Sequence, residues 1–475
     1  MSEAAAGTDE HTFDVVVIGG GAAGENAAWY AIDNGLTAAI VESELVGGEC
    51  TYWACMPSKA LLRPGEALAA ARRVPGAKGA VTGEVDVERT LHSRDAFSSH
   101  WDDKYQVQWV ESIGATLLRG RGRLAGPRRV EVTDDDGNVT TVTARQAVVV
   151  ATGSRAAIPP VEGLDEIRIW DTRDVTTAKE VPDSLVILGG GVVGIEMAQA
   201  WRRLGTSEVT IVELFDRILA REEPFAGAIV QEALEAEGIT VLTDAKAVRA
   251  SREDGDDGPV TVALADGTEL TAAELVVATG RRANTEDIGL GTVGLSPGGI
   301  LETDDQLRVQ GVAGDWLYAI GDVNGRALLT HQGKYQARLV GDLIAGHTRQ
   351  AWADTHAVPR VIFSDPQVAA VGLTCSQARD RNIPFRSVEV DLGSVAGTAL
   401  LGSGITGKAQ LVIDDARDSI IGATFVGPGV GEMLHAATIA IVSGVTIDRL
   451  WHAVPAFPTV SEVWLRLLEA DRGIG

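Results

Sequence analysis

Residues 13–24 read FDVVVIGGGAAG, and this stretch decides the fold of the first part of the chain. The run 13–18 is apolar and rich in β-branched residues, which is typical of a strand buried on both faces. It leads directly into a GxGxxG motif formed by Gly19, Gly21 and Gly24. Such glycines let backbone amides approach a pyrophosphate at the N-terminus of a helix.

An alanine-rich stretch that can be helical follows to about residue 34, and a second strand, 37–41, ends at Glu42. An acid roughly 20 residues after the glycines can accept a hydrogen bond from a ribose hydroxyl. A lone GxGxxG is weak evidence, but strand, glycines, helix, strand and acid in this order predict a dinucleotide-binding unit.

The same unit occurs again in the middle of the chain. Its parts are the strand 184–188, the glycines Gly189, Gly191 and Gly194, a helix through residue 204, the strand 209–212 and the acid Glu213. Two dinucleotide sites imply two cofactors, one passing electrons to the other. The alternative is a duplicated fold with one inactive site, but both copies keep every glycine and the acid.

Residues 47–59 read GGECTYWACMPSK and contain Cys50 and Cys55, two of only three cysteines in 475 residues. A structural disulfide suits a cytosolic chain poorly, because cytosolic thiols are kept reduced. A zinc site needs further ligands, and Cys375 lies far away with no histidine beside it. Two unreactive buried cysteines and a redox-active dithiol are the remaining interpretations.

The redox interpretation is favoured by what flanks the two cysteines. The pair Gly47-Gly48 before Cys50, and a lysine at position 59 just after Cys55, indicate a tight turn that enters a helix. A thiolate is stabilised in such a place. The interpretation requires an electron source elsewhere in the chain.

The order of the motifs suggests which cofactor binds where. The first dinucleotide unit is closely followed by the dithiol, so it suits FAD, which can exchange electrons with sulfur. The second unit should then bind a nicotinamide nucleotide. Glu213 can pair with a free 2′-hydroxyl and would repel a 2′-phosphate, which favours NADH. Arg217, four residues further on, leaves NADPH possible.

Length and composition set further limits. A chain of 475 residues is too long for one ordinary core, so several domains are expected. The net charge of −25 argues against a nucleic-acid partner, which would need a basic face. There is no run of 18 or more apolar residues, and so no predicted membrane span. Residues 1–12 resemble a loose tail and not a signal peptide, so we expect a cytoplasmic protein.

Several shorter patterns complete the picture. Residues 130–142 predict a hairpin, and the run 252–258 predicts a solvated hairpin tip. The strands 147–150 and 275–278 each lead into Ala-Thr-Gly, which places Thr152, Gly153, Gly280 and Arg281 among the cofactor-binding candidates. The strand 317–320 ends in Gly321 and Asp322, and an acid in this position can meet ribityl or ribose hydroxyls. A helix over 331–345 follows.

The last part of the chain has a different pattern. It predicts the strands 367–371, 385–390, 409–413 and 420–426 and an apolar helix, 431–443. No glycine-rich nucleotide motif occurs in this part. A separate α+β domain without its own cofactor is a candidate for the interface between subunits.

These motifs together resemble the class I pyridine nucleotide-disulfide oxidoreductases, the family of lipoamide dehydrogenase, glutathione reductase and mercuric reductase. The resemblance implies an α/β fold with two Rossmann-like domains, for FAD and NAD, and a C-terminal α+β dimerisation domain. The corresponding division is a flexible tail 1–12, an FAD-binding domain 13–157 continued in a central part 284–354, an NAD(P)-binding domain 158–283 and a dimerisation domain 355–475.

The resemblance also implies roles for single residues. In this family, hydride passes from the nicotinamide to the flavin and then to the disulfide. Cys55 corresponds to the thiol that contacts the flavin and Cys50 to the thiol that exchanges with the acceptor. Lys59 corresponds to a residue near the flavin N5, paired with Glu196. Asp322 and Gly48 correspond to FAD-binding positions. The family is homodimeric, and each C-terminal domain completes the partner's active site.

Two departures from the family pattern bear on function. Tyr52, Trp53 and Ala54 stand in the cysteine loop where the family commonly has an asparagine and a glycine, and we expect crowding there. The C-terminal segment, residues 457–462, reads FPTVSE. Glu462 is kept, but Phe457 replaces the family's catalytic histidine. Phenylalanine cannot transfer a proton, and general acid–base help is typically worth about 10²- to 10⁴-fold in rate.

We therefore predict an NAD(P)H-dependent FAD enzyme with a working Cys50–Cys55 pair and a small-molecule acceptor that does not need the histidine. Quinones, another small electrophile or a specialised disulfide fit this description. One alternative is an ordinary disulfide reductase or dihydrolipoamide dehydrogenase that uses His452 or water. Another is a flavoprotein subunit or NAD(H) sensor with little turnover. No metal site is predicted.

Overall fold

A computed structural model describes residues 11–253 and 258–474 of the chain. Most of the predicted tail, residues 1–10, and the middle of the predicted hairpin tip, residues 254–257, lie outside the described residues. His11 and Thr12 were expected in the tail but belong to the first strand, where they pair with Val142 and Thr143. Among the described residues, no helix has both the length and the apolar character needed to cross a membrane.

The strands are numbered in chain order. They are β1 His11–Ile18, β2 Ala38–Glu42, β3 Thr116–Arg119, β4 Arg121–Leu124, β5 Arg129–Thr133, β6 Val139–Val150, β7 Ser154–Ala156, β8 Ser184–Leu188, β9 Glu208–Val212, β10 Ile239–Leu242, β11 Ala247–Arg252, β12 Val260–Leu264, β13 Glu269–Ala272, β14 Glu274–Val277, β15 Arg281–Ala283, β16 Leu317–Ala319, β17 Pro359–Ile362, β18 Gln367–Gly372, β19 Phe385–Asp391, β20 Lys408–Asp414 and β21 Ser419–Gly427.

The α-helices are numbered in the same way. They are α1 Ala22–Asp33, α2 Gly48–Tyr52, α3 Cys55–Arg73, α4 Pro75–Lys78, α5 Val87–Phe97, α6 Lys104–Ser112, α7 Thr172–Thr177, α8 Val192–Leu204, α9 Pro224–Ala236, α10 Thr330–Ile344, α11 Ala353–His356, α12 Cys375–Asp380, α13 Ala396–Leu400, α14 Leu434–Val442, α15 Ile447–Leu450 and α16 Val463–Asp471.

The chain forms two compact units. The first comprises Met1–Met56, Ala96–Arg155 and Arg281–Asp354, and the second comprises Pro57–Asp95, Ala156–Gly280 and Thr355–Gly475. Residues 57–95 lie in the second unit, where Leu61 and Leu62 of α3 share a core with Trp201. The domain boundaries expected from the sequence remain a prediction.

The first unit is built on a seven-stranded sheet with the order β3-β2-β1-β6-β5-β4, in which β16 also pairs with β6. The strands β1, β2, β3 and β16 run parallel to their neighbours in this core, whereas β4 and β5 extend the sheet as an antiparallel hairpin. The predicted hairpin over 130–142 is confirmed by the pairing of β5 with β6. In a parallel sheet the carboxyl ends of the strands meet at one edge, where ligands bind.

The second unit contains a parallel sheet with the order β10-β9-β8-β14, a three-stranded antiparallel sheet, β11-β12-β13, and a five-stranded antiparallel sheet, β17-β18-β21-β20-β19. The last of these confirms the four strands predicted after residue 366. The edge strand β17, Pro359–Ile362, was not predicted, since it is short and begins at a proline. The helix predicted over 431–443 is a 3₁₀ turn, Val430–Met433, followed by α14.

Each Rossmann-like motif requires its last glycine for close packing of helix on strand. A Cβ atom at position 24 would lie 1.9 Å from the carbonyl oxygen of Gly19, and one at position 194 would lie 2.0 Å from that of Gly189. Atoms cannot approach so closely, so any larger residue would push the helix away from the loop.

We predict that Gly194→Ala lowers the thermal unfolding midpoint of the protein, because overpacking of this kind typically costs about 1–3 kcal/mol. The matched control is Gly76→Ala in the same unit, where a Cβ atom meets nothing within 4 Å. Differential scanning calorimetry of both variants checks the prediction. Equal midpoints for the two variants would contradict the packing argument.

Candidate active site

The two glycine motifs place an acid in the same way. The amide of Gly20 donates to Glu42 Oε2 at 2.6 Å, and the amide of Gly190 donates to Glu213 Oε2 at 2.6 Å. Each acid lies at or just after the end of the neighbouring strand, β2 or β9. The repeat seen in the sequence is therefore also a repeat in geometry, and both copies keep the arrangement.

The space in front of the middle glycine is open in both copies. A Cβ atom at position 21 would meet only Gly48 Cα, at 3.9 Å, and one at position 191 would meet nothing within 4 Å. A cradle of this kind, at a helix N-terminus and beside a carboxylate, fits the pyrophosphate and ribose of a dinucleotide. The residues present therefore fit FAD and a nicotinamide nucleotide.

Burial raises the pKa of the Glu42 carboxyl, although hydrogen bonds from the amides of Glu44 and Gly20 act in the opposite direction. The amide of Glu44 donates to Glu42 Oε1 at 2.7 Å. The two carboxylate oxygens thus each have a backbone donor, which fixes the rotamer of this side chain.

Asp322 belongs to a small polar network in the first unit. Ser154 Oγ donates to Asp322 Oδ2 at 2.5 Å, and Arg281 Nε donates to Ser154 Oγ at 2.6 Å. The expected cofactor residues Asp322 and Arg281 are thus brought together. Ser154 joins them but was not among the predicted site residues, since a serine after Ala-Thr-Gly has no distinctive spacing of its own.

The remaining predicted positions of the first unit lie on neighbouring backbone segments. Thr152 Oγ1 donates to the carbonyl oxygen of Asn284 at 2.8 Å, and the amide of Asn284 donates to the carbonyl oxygen of Gly153 at 3.0 Å. The amide of Gly321 donates to Gln336 Oε1 at 2.8 Å. In the second unit, Gly280 accepts from the amide of Ala157 at 3.0 Å.

The cysteine stretch lies directly against the first glycine loop. Gly48 has a φ of +59°, and a Cβ atom there would lie 2.8 Å from Gly21 Cα. The amide of Gly47 donates to the carbonyl oxygen of Gly20 at 2.8 Å. Only glycine allows this approach, so the Gly47-Gly48 pair sets the position of the dithiol that follows.

Cys50 lies within the short helix α2, and Cys55 is the first residue of α3. Neither cysteine is in a disulfide, both are partly buried, and a side-chain hydrogen bond joins Cys50 to Cys55. Cys55 Sγ also lies 3.4 Å from Thr330 Oγ1, at the start of α10. Thr330 was not predicted, because its contact with Cys55 joins residues far apart in the chain.

The hydrogen bond to Cys55 raises the pKa of the Cys50 thiol, and burial raises it further. Thr330 and the positive charge of Lys334 act in the opposite direction but are smaller. The sequence predicted a site where a thiolate is stabilised, and for Cys50 this prediction is wrong. The raised pKa favours the protonated form of the Cys50 thiol.

Tyr52 does not crowd the thiol side of the loop as expected. Its side chain is fully buried, and its hydroxyl donates to the carbonyl oxygen of Val46 at 3.0 Å. The indole of Trp101 donates to the carbonyl oxygen of Tyr52 at 3.1 Å. Tyr52 therefore anchors the cysteine loop to the buried interior of the first unit.

Lys59 and Glu196 form the pair expected from the family resemblance. Lys59 Nζ lies 2.6 Å from Glu196 Oε2, and Glu196 is only 2% exposed. The amide of Phe363 donates to Glu196 Oε1 at 2.9 Å, and the Phe363 ring lies 4.8 Å from Lys59 Nζ. The ion pair is thus held in one geometry from two sides. Phe363 was not predicted.

Arg217 lies near Glu213 in sequence, but its guanidinium group is bound to the backbone. It donates to the carbonyl oxygens of Ala220, at 2.8 Å, and Glu222, at 3.3 Å. Glu213 Oε1 accepts from the amide of Phe215 at 2.9 Å. The charged group held at the end of β9 is therefore the carboxylate of Glu213 and not the guanidinium group of Arg217.

At the C-terminal end, Phe457 is 75% exposed and Glu462 is buried. Within the described part of the chain, Glu462 Oε2 has no hydrogen-bond partner. A buried carboxylate oxygen without a donor is costly, and such groups are often found at functional sites. His452, the suggested substitute for the missing histidine, is exposed.

Cys375 takes no part in the dithiol. It begins α12, its amide donates to Glu223 Oε1 at 2.6 Å, and burial raises the pKa of its thiol to about 11. Among residues 11–253 and 258–474, no group of three or more His, Cys, Asp or Glu side chains could hold a metal ion.

Comparisons with known proteins show the family of this chain. The pyridine nucleotide-disulphide oxidoreductase family profile matches residues 13–337, and the dimerisation domain of the same family matches residues 358–467, which indicates a homodimer. A dihydrolipoyl dehydrogenase from Chlorobaculum tepidum is 33% identical and covers 95% of both chains. A mercuric reductase from Streptomyces lividans is also 33% identical and covers 93% of both.

Solved structures of similar fold include LpdA from Mycobacterium tuberculosis, with a TM-score of 0.83, 24% identity and coverage of 97% of this chain and 99% of that one. The flavoprotein disulfide reductase RclA from Escherichia coli gives a TM-score of 0.84 at 21% identity, with the same coverage. The two curated relatives are named for different substrates, so overall identity does not select one. This chain belongs to the pyridine nucleotide-disulphide oxidoreductase family and is an NAD(P)H-dependent flavoprotein oxidoreductase.

Proposed function

We propose that Cys50 and Cys55 are the redox-active dithiol of this oxidoreductase, with FAD in the first dinucleotide site and NADH in the second. The observation that supports this most is the hydrogen bond between the two thiols, in a loop that packs against the first glycine motif. When bound, FAD would supply two-electron transfer between the nicotinamide and sulfur.

The residues of the chain prepare this exchange in separate ways. The contact of Gly48 with Gly21 holds the cysteine loop at the first nucleotide site. The contacts of Cys55 with Cys50 and Thr330 fix its thiol, and we assign Cys55 to face the flavin and Cys50 to meet the acceptor, as the family resemblance implies. The ion pair between Lys59 and the buried Glu196 would fix a positive charge on the side chain that follows Cys55 by four residues in the chain.

We further propose an acceptor that does not need a histidine at position 457: a quinone, another small electrophile or a specialised disulfide. Phe457 supports this, because it cannot donate a proton and Glu462 Oε2 has no described partner to orient. The alternative is an ordinary disulfide reductase or dihydrolipoamide dehydrogenase with another acid or base. A flavoprotein subunit or NAD(H) sensor with little turnover is the alternative of another class. A cytoplasmic location stays a prediction.

The first experiment separates thiol chemistry from direct flavin chemistry. Anaerobic titration of the holoenzyme with NADH should give a long-wavelength thiolate-to-flavin band, which is lost in Cys55→Ser and kept in Cys50→Ser. With Cys50→Ser, we expect disulfide turnover to fall to background, since the exchanging sulfur is gone. Quinone turnover that survives in this variant shows that the flavin suffices for that acceptor. If the wild-type enzyme gives no such band, the proposed dithiol is wrong.

The second experiment restores the missing histidine. We predict that Phe457→His raises kcat/KM for small disulfides by roughly tenfold or more, because general acid–base help is worth about 10²- to 10⁴-fold in full and Glu462 would gain a partner. Phe457→Leu is the matched control and should leave the rate unchanged. If Phe457→His and Phe457→Leu have the same kcat/KM for small disulfides, the missing proton donor is not the only obstacle. The acceptor pocket itself then differs from that of a disulfide reductase.

The third experiment concerns the nucleotide. We expect kcat/KM for NADH to exceed that for NADPH by about 10- to 100-fold, because hydrogen bonds to charged groups are worth about 1.5–3 kcal/mol and Glu213 would repel a 2′-phosphate. Glu213→Gln should narrow this ratio, whereas Arg217→Ala should leave it unchanged, since Arg217 is bound to backbone carbonyls. A wild-type preference for NADPH would contradict the assignment.

A further inference from the structure

A buried carboxylate lies behind the turn that contains Asp322. The side chain of Asp354 is fully buried, and three side chains of the first unit donate hydrogen bonds to it. Gln332 Nε2 donates to Asp354 Oδ1 at 2.9 Å, and Gln336 Nε2 donates to Asp354 Oδ2 at 2.9 Å. Arg326 Nε also donates to Oδ2, at 3.0 Å. Both oxygens of the buried carboxylate therefore have a donor, and its charge has a cation beside it.

Gln336 differs from Gln332 in what the rest of its amide group binds. Its Oε1 accepts from the amide of Gly321 at 2.8 Å and from Asn324 Nδ2 at 2.9 Å. These are the first and last residues of the 3₁₀ turn on which Asp322 lies. Among the described residues, the side chain of Gln332 makes no hydrogen bond to this turn. Gln336 is completely buried and connects the carboxylate behind the turn to both ends of the turn.

The turn lies against the start of α1, next to the first glycine loop. Gly321 has a φ of +72°, and a Cβ atom there would lie 3.2 Å from Ala23 Cβ. Ala23 is in the first turn of α1, two residues after Gly21. A Cβ atom at Gly333 of α10 would lie 3.1 Å from the same Ala23 Cβ atom. The turn, α1 and α10 therefore meet closely at the helix end where a pyrophosphate would bind.

Asp322 is the partly exposed residue of this turn. The other three residues of the turn are buried, whereas the Asp322 side chain is 24% exposed. Its Oδ2 accepts from Ser154 Oγ and lies 3.6 Å from Arg281 Nε. Within the part of the chain that the structure describes, Asp322 Oδ1 accepts no hydrogen bond. This oxygen is therefore open to a ribityl or ribose hydroxyl.

We propose that Gln336 is a positioning residue for FAD and acts through the turn that carries Asp322. The proposal rests on the placement of FAD in the first dinucleotide site, as proposed above, and identifies what holds the acid of that site in place. Gln336 binds both ends of the turn, and its own amide cannot rotate because Nε2 is bound to Asp354. Hydrogen bonds weaken steeply with distance and angle, so a small movement of the turn would weaken the bond from Asp322 to the cofactor.

The same network joins the turn to α10. Gln332 and Gln336 lie four residues apart on this helix, which places them on one face. The first residue of the helix is Thr330, and its Oγ1 lies 3.4 Å from Cys55 Sγ. The acid that would bind FAD and the thiol that would face it are thus both held against one rigid helix.

The test compares the two buried glutamines of α10. Gln336→Leu removes the bonds to Asp354 and to the turn, whereas Gln332→Leu, the matched control, removes only a bond to Asp354. Holoenzyme of each variant is mixed with an excess of a second FAD-dependent enzyme in its apo form, and the activity that this enzyme gains reports the rate of FAD loss. We expect Gln336→Leu to lose FAD about tenfold faster than Gln332→Leu, because two buried donors of the turn lose their acceptor.

A double-mutant cycle distinguishes positioning from a general loss of packing. Asp322→Ala removes the acid and should itself speed FAD loss about tenfold or more. If Gln336 acts by positioning this acid, adding Gln336→Leu to Asp322→Ala should change the rate by less than about twofold, since the positioned group is already gone. Independent packing defects would instead multiply their effects on the rate.

Gln336→Glu is the conservative variant, and it keeps the proposal testable if Gln336→Leu does not fold. A protonated carboxyl can donate to Asp354 and accept from the turn, as the amide does, whereas an ionised carboxyl repels Asp354. The charged and titratable groups around this position are Asp354, Arg326 and Tyr335. The nearby carboxylate favours the protonated form. We therefore expect FAD loss close to the wild-type rate at about pH 6 and faster than the wild-type rate at about pH 9.

The outcomes separate this proposal from the one on which it rests. Equal rates of FAD loss in Gln336→Leu and Gln332→Leu, or effects of Gln336→Leu and Asp322→Ala that multiply, overturn the positioning role and leave the FAD site intact. A wild-type protein that binds no FAD overturns the FAD site itself. Faster loss in Gln336→Leu that is absent in the Asp322→Ala background, together with rescue by Gln336→Glu at about pH 6, supports Gln336 as the positioning residue.

Discussion

The contact between Gly48 and Gly21 joins the first glycine loop to the cysteine stretch, and the proposed chemistry depends on it. Two backbone segments approach so closely that a Cβ atom on one would lie 2.8 Å from the Cα atom of the other. One segment forms the open front of the first glycine loop, and the other leads into the helix that contains Cys50. Because neither can move without the other, the distance between the nucleotide site and the dithiol is set by backbone packing and not by flexible side chains.

The described residues include more groups suited to electron transfer than groups suited to proton transfer. The electron side has both glycine motifs, both strand-end acids and two thiols in contact. On the proton side, position 457 holds a phenylalanine, which cannot transfer a proton, and Glu462 Oε2 has no partner in the described part of the chain.

The features that the sequence predicted well are those that depend on local spacing. Gly19, Gly24 and Glu42 lie within one strand–helix–strand unit, and their geometry follows from backbone sterics that any such sequence must satisfy. Thr330, Ser154 and Phe363 escaped prediction because each meets its partner across a long stretch of chain. Gln336 escaped for another reason. Its spacing carries no signal, and its bonds to Gly321 and Asp354 depend on how α10 packs behind the turn. The rise in the pKa of the Cys50 thiol also depends on a contact, its hydrogen bond to Cys55. The prediction from the sequence considered only the stabilisation of a single thiolate at the start of a helix and did not include this bond.

The hydrogen bonds from Gly20 to Glu42 and from Gly190 to Glu213 have a consequence for affinity. Each acid is already immobilised by the loop that receives the nucleotide, so binding does not have to order that side chain. Ordering a flexible interface side chain typically costs about 0.5–1.5 kcal/mol. Both pockets are therefore preorganised, and the loops should keep their shape during the interval between the departure of one nucleotide and the arrival of the next.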